Sequence, residues 1–199
     1  MRRTRRSKSA GTDPYADYLV YDSFTDTNGV LLANHTSEKG GPWTDATSTW
    51  TIQSNTCLAT NTSESEKYAF ITAAANIDMS YTMDVGAGGL SESGLCYRYA
   101  SGTQFWVVYL HGGEDKVKLL KRVGGDWTNV GEAAQAVTAG TPILVRVTVD
   151  GDDLHTVYCN GVQKVQVTDN YSNTATTVAL RVYFNGENTI VDSLTVAAL

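Results

Sequence analysis

The sequence predicts an all-β fold, a two-sheet antiparallel sandwich. Three observations carry that prediction. Short runs of alternating apolar and polar residues recur along the chain, turn-forming residues separate them, and helical periodicity is nearly absent. Val, Thr, Tyr and Trp dominate the runs, and such side chains suit a pleated, half-buried surface. A chain of 199 residues, 42% hydrophobic and 18% charged, suits one such domain and is too apolar for a disordered one.

Taken in order, the expected strands are Tyr18 to Phe24, Ser48 to Gln53, Tyr68 to Thr72, Met79 to Val85 and Gly94 to Ala100. They continue with Gln104 to His111, Lys116 to Val123, Pro142 to Val149, His155 to Cys159 and Val162 to Thr168. Val178 to Phe184 and Thr189 to Val196 close the series. The Asn160-Gly161 pair marks a tight hairpin, because both residues tolerate a positive φ. Gly112-Gly113, Gly124-Gly125-Asp126, Asp150-Gly151 and Asn185-Gly186 mark further reversals. Asn28 to Asp45 reads as a long polar surface loop, and Glu132 to Val137 as faintly helical, another strand or a turn. In the strand after Gly94, alternation puts Leu95, Tyr97 and Tyr99 on one side and Cys96 and Arg98 on the other. In the next, Phe105, Val107 and Tyr109 share a face opposite Trp106 and Val108.

Charge divides the chain in two. Arg2, Arg3, Arg5, Arg6 and Lys8 are five of its fifteen basic residues, which leaves ten against 21 acidic residues, a net charge near −11, in the remainder. Residues 1–17 therefore read as a basic, extended arm and residues 18–199 as the sandwich domain. A basic arm on an acidic body points to docking on an acidic surface, with Tyr15, Tyr18 and Tyr21 as aromatic anchors, or else to a solvated chain end. Nucleic acid is disfavoured as the partner, since the acidic body offers no basic stripe to continue a phosphate track.

No apolar segment follows the arginines, so no ordinary secretory signal is expected, and the longest apolar runs, such as Phe105 to Leu110, are too short to span a bilayer. Cys57, Cys96 and Cys159 are an odd number, widely spaced in apolar stretches, and read as buried free thiols made in a reducing cytoplasm. His35, His111 and His155 are scattered and read as surface or edge residues without a nucleophile partner.

Several segments resemble the concanavalin A-like lectin/glucanase superfamily, in its laminin-G-like and glucanase-like branch. They are Asp22, Phe24 and Asp26 followed by Gly41-Pro42-Trp43 and Trp50, then Gly94 to Tyr99 with Phe105 to Tyr109, then Leu144 to Gly151 with Val157 to Gly161, and finally Val191 to Val196. The resemblance implies a jelly-roll sandwich, concanavalin A-like, whose last strand lies beside the first. It implies no catalytic residues: the Glu-x-Asp-x-x-Glu strand of the glycosidases in that group is absent, and Glu64, Glu66 and Glu92 read as solvated loop carboxylates. Among such proteins, the combination of one domain, a short basic arm and no signal peptide looks most like the modules of tailed-phage virions. The first expectation is thus a capsid decoration or minor virion protein, located in the virion and bound to other capsid proteins through the arm. The alternative is a carbohydrate-binding module for a surface polysaccharide, with Trp43, Arg98 and Trp106 as its glycan-contacting residues, unless they are packing residues. A glycoside hydrolase is the third and weakest reading. No cofactor is expected beyond a structural Ca²⁺, which the resemblance implies where the first and last strands meet. Asp22 and Asp192 fall there, although two acids are fewer than a tight site gathers, and plain edge aspartates are the competing reading.

Overall fold

The computed structural model describes residues 13–45, 47, 49–61, 65–85, 92–183 and 187–199. The basic residues Arg2, Arg3, Arg5, Arg6 and Lys8, and the expected Asn185-Gly186 turn, lie outside these. The strands are β1 (Val20–Asp22), β2 (Trp50–Gln53), β3 (Thr56–Asn61), β4 (Lys67–Thr72), β5 (Ile77–Asp84), β6 (Glu92–Ser101) and β7 (Gln104–His111). They continue with β8 (Lys116–Val123), β9 (Asp126–Ala134), β10 (Ile143–Val149), β11 (Leu154–Cys159), β12 (Val162–Thr168), β13 (Thr177–Tyr183) and β14 (Glu187–Ala198).

They form two antiparallel sheets. The larger has eight strands in the order β12-β11-β10-β5-β14-β3-β2, with β1 also on β14; the smaller has six in the order β4-β13-β6-β7-β8-β9. The chain crosses between sheets at β3–β4, β4–β5, β5–β6, β9–β10, β12–β13 and β13–β14, which closes the two layers into the expected jelly-roll sandwich. First and last strands pair, Val20 opposite Val196 and Asp22 opposite Leu194.

Alternation decides what enters the core. In β5, Ile77, Met79, Tyr81 and Met83 are fully buried, whereas Asp78, Ser80, Thr82 and Asp84 are not; in β10, Ile143, Val145, Val147 and Val149 do the same. Asn160 and Gly161 both have positive φ, as their hairpin requires. Cys57, Cys96 and Cys159 are buried free thiols. Among the described residues no helix is long and apolar enough to cross a membrane.

The segment between β1 and β2 is no surface loop. It carries a 3-10 turn (Leu32–Asn34) and buries Phe24, Leu32, His35 and Trp43. The side chain of Asp22, itself buried, organises it. Its carboxylate accepts from Trp43 Nε1 at 2.6 Å, Phe24 N at 2.7 Å and His35 Nε2 at 3.0 Å. Burial raises the pKa of Asp22 against these three hydrogen bonds. Burial alone would depress His35, but its two ring nitrogens each face a carboxylate, Asp22 and Asp26, and together these raise it.

The three histidines, expected at the surface or at edges, are all buried. His155 lies between the sheets with its ring 4.2 Å from that of Trp106. Its Nε2 donates to the Asp169 carbonyl, so Nδ1 carries the lone pair that accepts the Tyr97 hydroxyl, both at 2.8 Å. Burial, helped by nearby Arg98, pulls its pKa down to about 4. The unfolded chain therefore takes up a proton near pH 6.5 that the folded one refuses. Stability is expected to fall by about 3 kcal/mol as the pH drops from 6.5 to 4. His35 works in the opposite sense, stabilising below pH 6.5 and less so as the pH rises through its raised pKa. Urea denaturation of the protein and of His155→Gln across this range separates the two; equal slopes would remove His155 as the cause.

Candidate functional site on the outer face of the six-stranded sheet

The outward face of a sandwich sheet is ordinarily polar. Here the outward face of the eight-stranded sheet is mostly polar, with Ser80, Thr82, Thr148, Ser193 and Thr195 between its charged residues, although Leu144 is 45% exposed there. That of the six-stranded sheet is not. Its two central strands, β6 and β7, are buried on both faces over most of their length. Cys96, Phe105, Val107, Tyr109 and Ala179 form a second apolar cluster outside the main core, with Tyr68, Phe70, Tyr99 and Leu120 packed on it.

Register explains which rings arrive there. Phe105, Val107 and Tyr109 point outward and Trp106, Val108 and Leu110 inward, as alternation requires. In β6 the expected faces hold only as far as Tyr97. Arg98 has φ +45° and the register shifts between Tyr97 and Ser101, so this bulge turns Tyr99 to the outer face, away from Leu95 and Tyr97. Gly94 stands opposite Tyr109, and a Cβ there would come within 2.7 Å of the Tyr109 Cβ, so only glycine lets the two strands bring that ring down flat. Rings then run across the sheet. Phe70 and Tyr99 are 4.8 Å apart, Tyr99 and Phe105 5.1 Å, and Trp127 stands edge-on to Phe105 at 5.6 Å. Burial pushes the Tyr99 hydroxyl up to about 12.

A polar cluster adjoins this band where β4 and β6 begin and β13 ends. Arg181 is an outward residue of β13 whose side chain is only 3% exposed. Its Nε and Nη2 donate to Glu66 Oε1 at 3.1 and 2.9 Å, and its Nη1 to the Glu92 carbonyl at 3.1 Å. Burial opposes the charge on Arg181, and Glu66 more than restores it. Arg122 Nη1 donates to the other oxygen of Glu66. Trp127 packs against both guanidiniums, 4.9 Å from that of Arg122 and 5.3 Å from that of Arg181, and is still 41% exposed. Two adjoining hollows open here. One, of about 490 Å³, is lined by Ser65, Glu66, Glu92, Arg122, Trp127, Arg181 and Tyr183; the other, of about 130 Å³, adds Tyr109 and Leu120.

None of the residues expected to contact a glycan lies here. Trp43 is buried on Asp22; Trp106 is buried between the sheets, its Nε1 donating to the Tyr171 carbonyl at 2.9 Å. Arg98 is buried at the bulge, bonded to the Ala75 carbonyl, to Asn76 and, at 2.7 Å, to Asp153. All three are buried within the fold, and only Nη1 of Arg98, itself buried, has no hydrogen-bond partner. Tyr15 and Tyr18 are not free anchors either. Tyr15 stacks on Tyr21 at 4.3 Å, Tyr18 is 5.7 Å from it, and Lys39 Nζ binds the carbonyls of Tyr15 and Ala16, so the domain begins before residue 18. Asp22 and Asp192 do not fit a Ca²⁺ site. Both oxygens of Asp22 already accept hydrogen bonds, Asp192 is exposed where β14 shifts register, and among the described residues no group of three His, Cys, Asp or Glu side chains is arranged to hold a metal ion. Conversely Glu66 and Glu92, read as solvated loop carboxylates, are 18% and 27% exposed and built into the cluster.

No family model and no curated protein matches the sequence. The fold has many solved relatives. The carbohydrate-binding module CBM66 from Bacillus subtilis superimposes with a TM-score of 0.67 at 14% identity, over 78% of this chain and 95% of its own. The Emp47p carbohydrate recognition domain gives 0.63 at 12% identity, over 94% and 99%. The GH43 protein BlXynB from Bacillus licheniformis gives 0.65 at 14% identity, over 90% of this chain and 39% of its own. At these identities the likeness is one of fold. A carbohydrate-binding module and a carbohydrate recognition domain share it, and none of the structures named here is a virion protein, so the expectation of a capsid decoration protein gains no support from them.

Proposed function

We propose that this protein is a carbohydrate-binding module, and that it holds its glycan on the outer face of the six-stranded sheet, at the hollows beside Trp127. One observation carries the reading: a large, partly exposed indole stands next to carboxylates and guanidiniums that the fold already holds in place. A sugar ring has an apolar face of C–H groups and a rim of hydroxyls. The indole suits the first, and fixed polar side chains suit the second. The partners of Glu66 and Arg122 are set before any ligand arrives, so little conformational entropy is lost on binding. That the fold recurs in a carbohydrate-binding module and a carbohydrate recognition domain is in keeping with this reading, though it identifies no residue.

Binding fits the site better than cleavage. A glycosidase pair needs one carboxyl group that keeps its proton while the other stays ionised. Both oxygens of Glu66 are already taken, Oε1 by Arg181 and Oε2 by Arg122, so neither faces a leaving group. Glu66 is therefore not placed to be the acid of such a pair.

Replacement of Trp127 by alanine is the direct test. Stability should change by less than about 1 kcal/mol, because the indole is exposed and lies on the edge strand β9. Affinity for a glycan found on an array should fall at least about tenfold in isothermal titration, the expected loss of a stacking platform. Unchanged affinity in a folded Trp127→Ala protein would rule this face out.

A further inference from the structure

We infer that the ligand is a neutral, hydroxyl-rich saccharide, held chiefly by its hydroxyls donating to the carboxylate of Glu92. This rests on the glycan reading above and adds the charge class of the glycan and the residue that reads it.

The cations carried on the outward positions of β8 and β13 are Lys116, Lys118, Arg122 and Arg181, and each is already matched. Lys116 pairs with Glu114 and Glu132, Lys118 with Glu114, Arg122 with Glu66, and Arg181 with Glu66 and Glu92. Four cations thus face four carboxylates. A uronate, sialate or sulfate entering here would have to break one of these pairs and strand its carboxylate beside the new anion. The face is built against anions.

Hydrogen-bonding capacity points the same way. Glu66 Oε1 takes two donors from Arg181 and Oε2 one from Arg122, so most of its lone pairs are spent. Glu92 differs. It lines both hollows, yet its oxygens come no closer than 3.7 Å to Arg181 Nη2 and 3.8 Å to His111 Nε2. Those distances orient a carboxylate electrostatically but are too long for hydrogen bonds. Glu92 is therefore fixed in direction and still rich in acceptor capacity. Such a group recognises donors, and two adjacent hydroxyls on a sugar ring match its two oxygens.

The test is a glycan array carrying neutral, uronate-bearing and sulfated saccharides, probed with the full chain, Trp127→Ala and Glu92→Gln. Retention of neutral glycans only is expected, with less than about a twofold change in affinity between about 50 and 500 mM NaCl, because no counter-charge is screened. Glu92→Gln should weaken binding about tenfold or more while the thermal midpoint holds, since Arg181 keeps Glu66. Retention of acidic glycans that is lost in Trp127→Ala and falls steeply with salt would overturn the neutral assignment and leave the glycan reading standing. Full affinity in Glu92→Gln would remove Glu92 from it. Failure of every glycan to bind, or binding that survives Trp127→Ala, would overturn the reading itself and this inference with it.

Discussion

Replacing Asp22 with alanine is expected to cost on the order of 4 kcal/mol of folding free energy. The carboxylate is buried and serves three donors from three parts of one segment: the Trp43 indole, the Phe24 backbone and the His35 ring. Alanine leaves all three without an acceptor in an interior that water does not reach, and each orphaned donor costs about 1–3 kcal/mol. The Trp43 and Phe24 rings, 6.1 Å apart, lose the anchor that keeps residues 23–43 over the end of the core. In a domain of this size the thermal midpoint should fall by roughly 10 °C. Asp22→Asn, which keeps one carbonyl oxygen, should lose about half as much. Calorimetry measures both, and a loss under about 1 kcal/mol in the alanine protein would mean that the segment is held by packing alone.

Arg181→Leu should abolish ligand binding and lower stability by about 2–3 kcal/mol. Most of that cost is not the lost attraction but the Glu66 carboxylate left behind, mostly buried and held by Arg122 alone. Glu92 would lose the cation that aims it. The double variant Arg181→Leu with Glu66→Leu separates these effects, because replacing a buried ion pair by apolar side chains of similar volume is often neutral. The pair should recover most of the stability and none of the affinity. A double variant as unstable as the single one would mean that Arg181 matters through its packing on Tyr109, Trp127 and Tyr183 rather than its charge.

Most of the sandwich was legible because its strands alternate cleanly: the limits of β7, β8 and β12 can be read directly from their turn residues. β3 was not, because its hairpin with β2 turns on Ser54 and Asn55, both at positive φ but a weaker signal than Asn-Gly. β9 was missed because its register against β8 shifts at Leu119/Leu120, which breaks the alternation. The candidate site was nearly invisible. Glu66 and Glu92 stand among serines and look like loop, whereas β6 begins at Glu92, two residues before the apolar run. The bulge at Arg98 has no glycine to announce it, and without it Tyr99 falls on the wrong face. One signal was available: Arg181 interrupts an otherwise apolar strand, at a position that alternates with Val178, Leu180 and Val182. A lone arginine outward of such a strand, with an aromatic band beside it, marks a face that does more than meet water.

The four tryptophans have an optical consequence. Trp43, Trp50 and Trp106 are buried, while Trp127 alone stands open to solvent. Intrinsic emission should therefore divide into a blue population from the interior and a red one from a single indole. A dissolved quencher such as acrylamide reaches only the red component, so excitation at the red edge of the absorption band reports on Trp127 in the unlabelled protein. A molecule that covers that indole would shield it and shift its emission toward the blue.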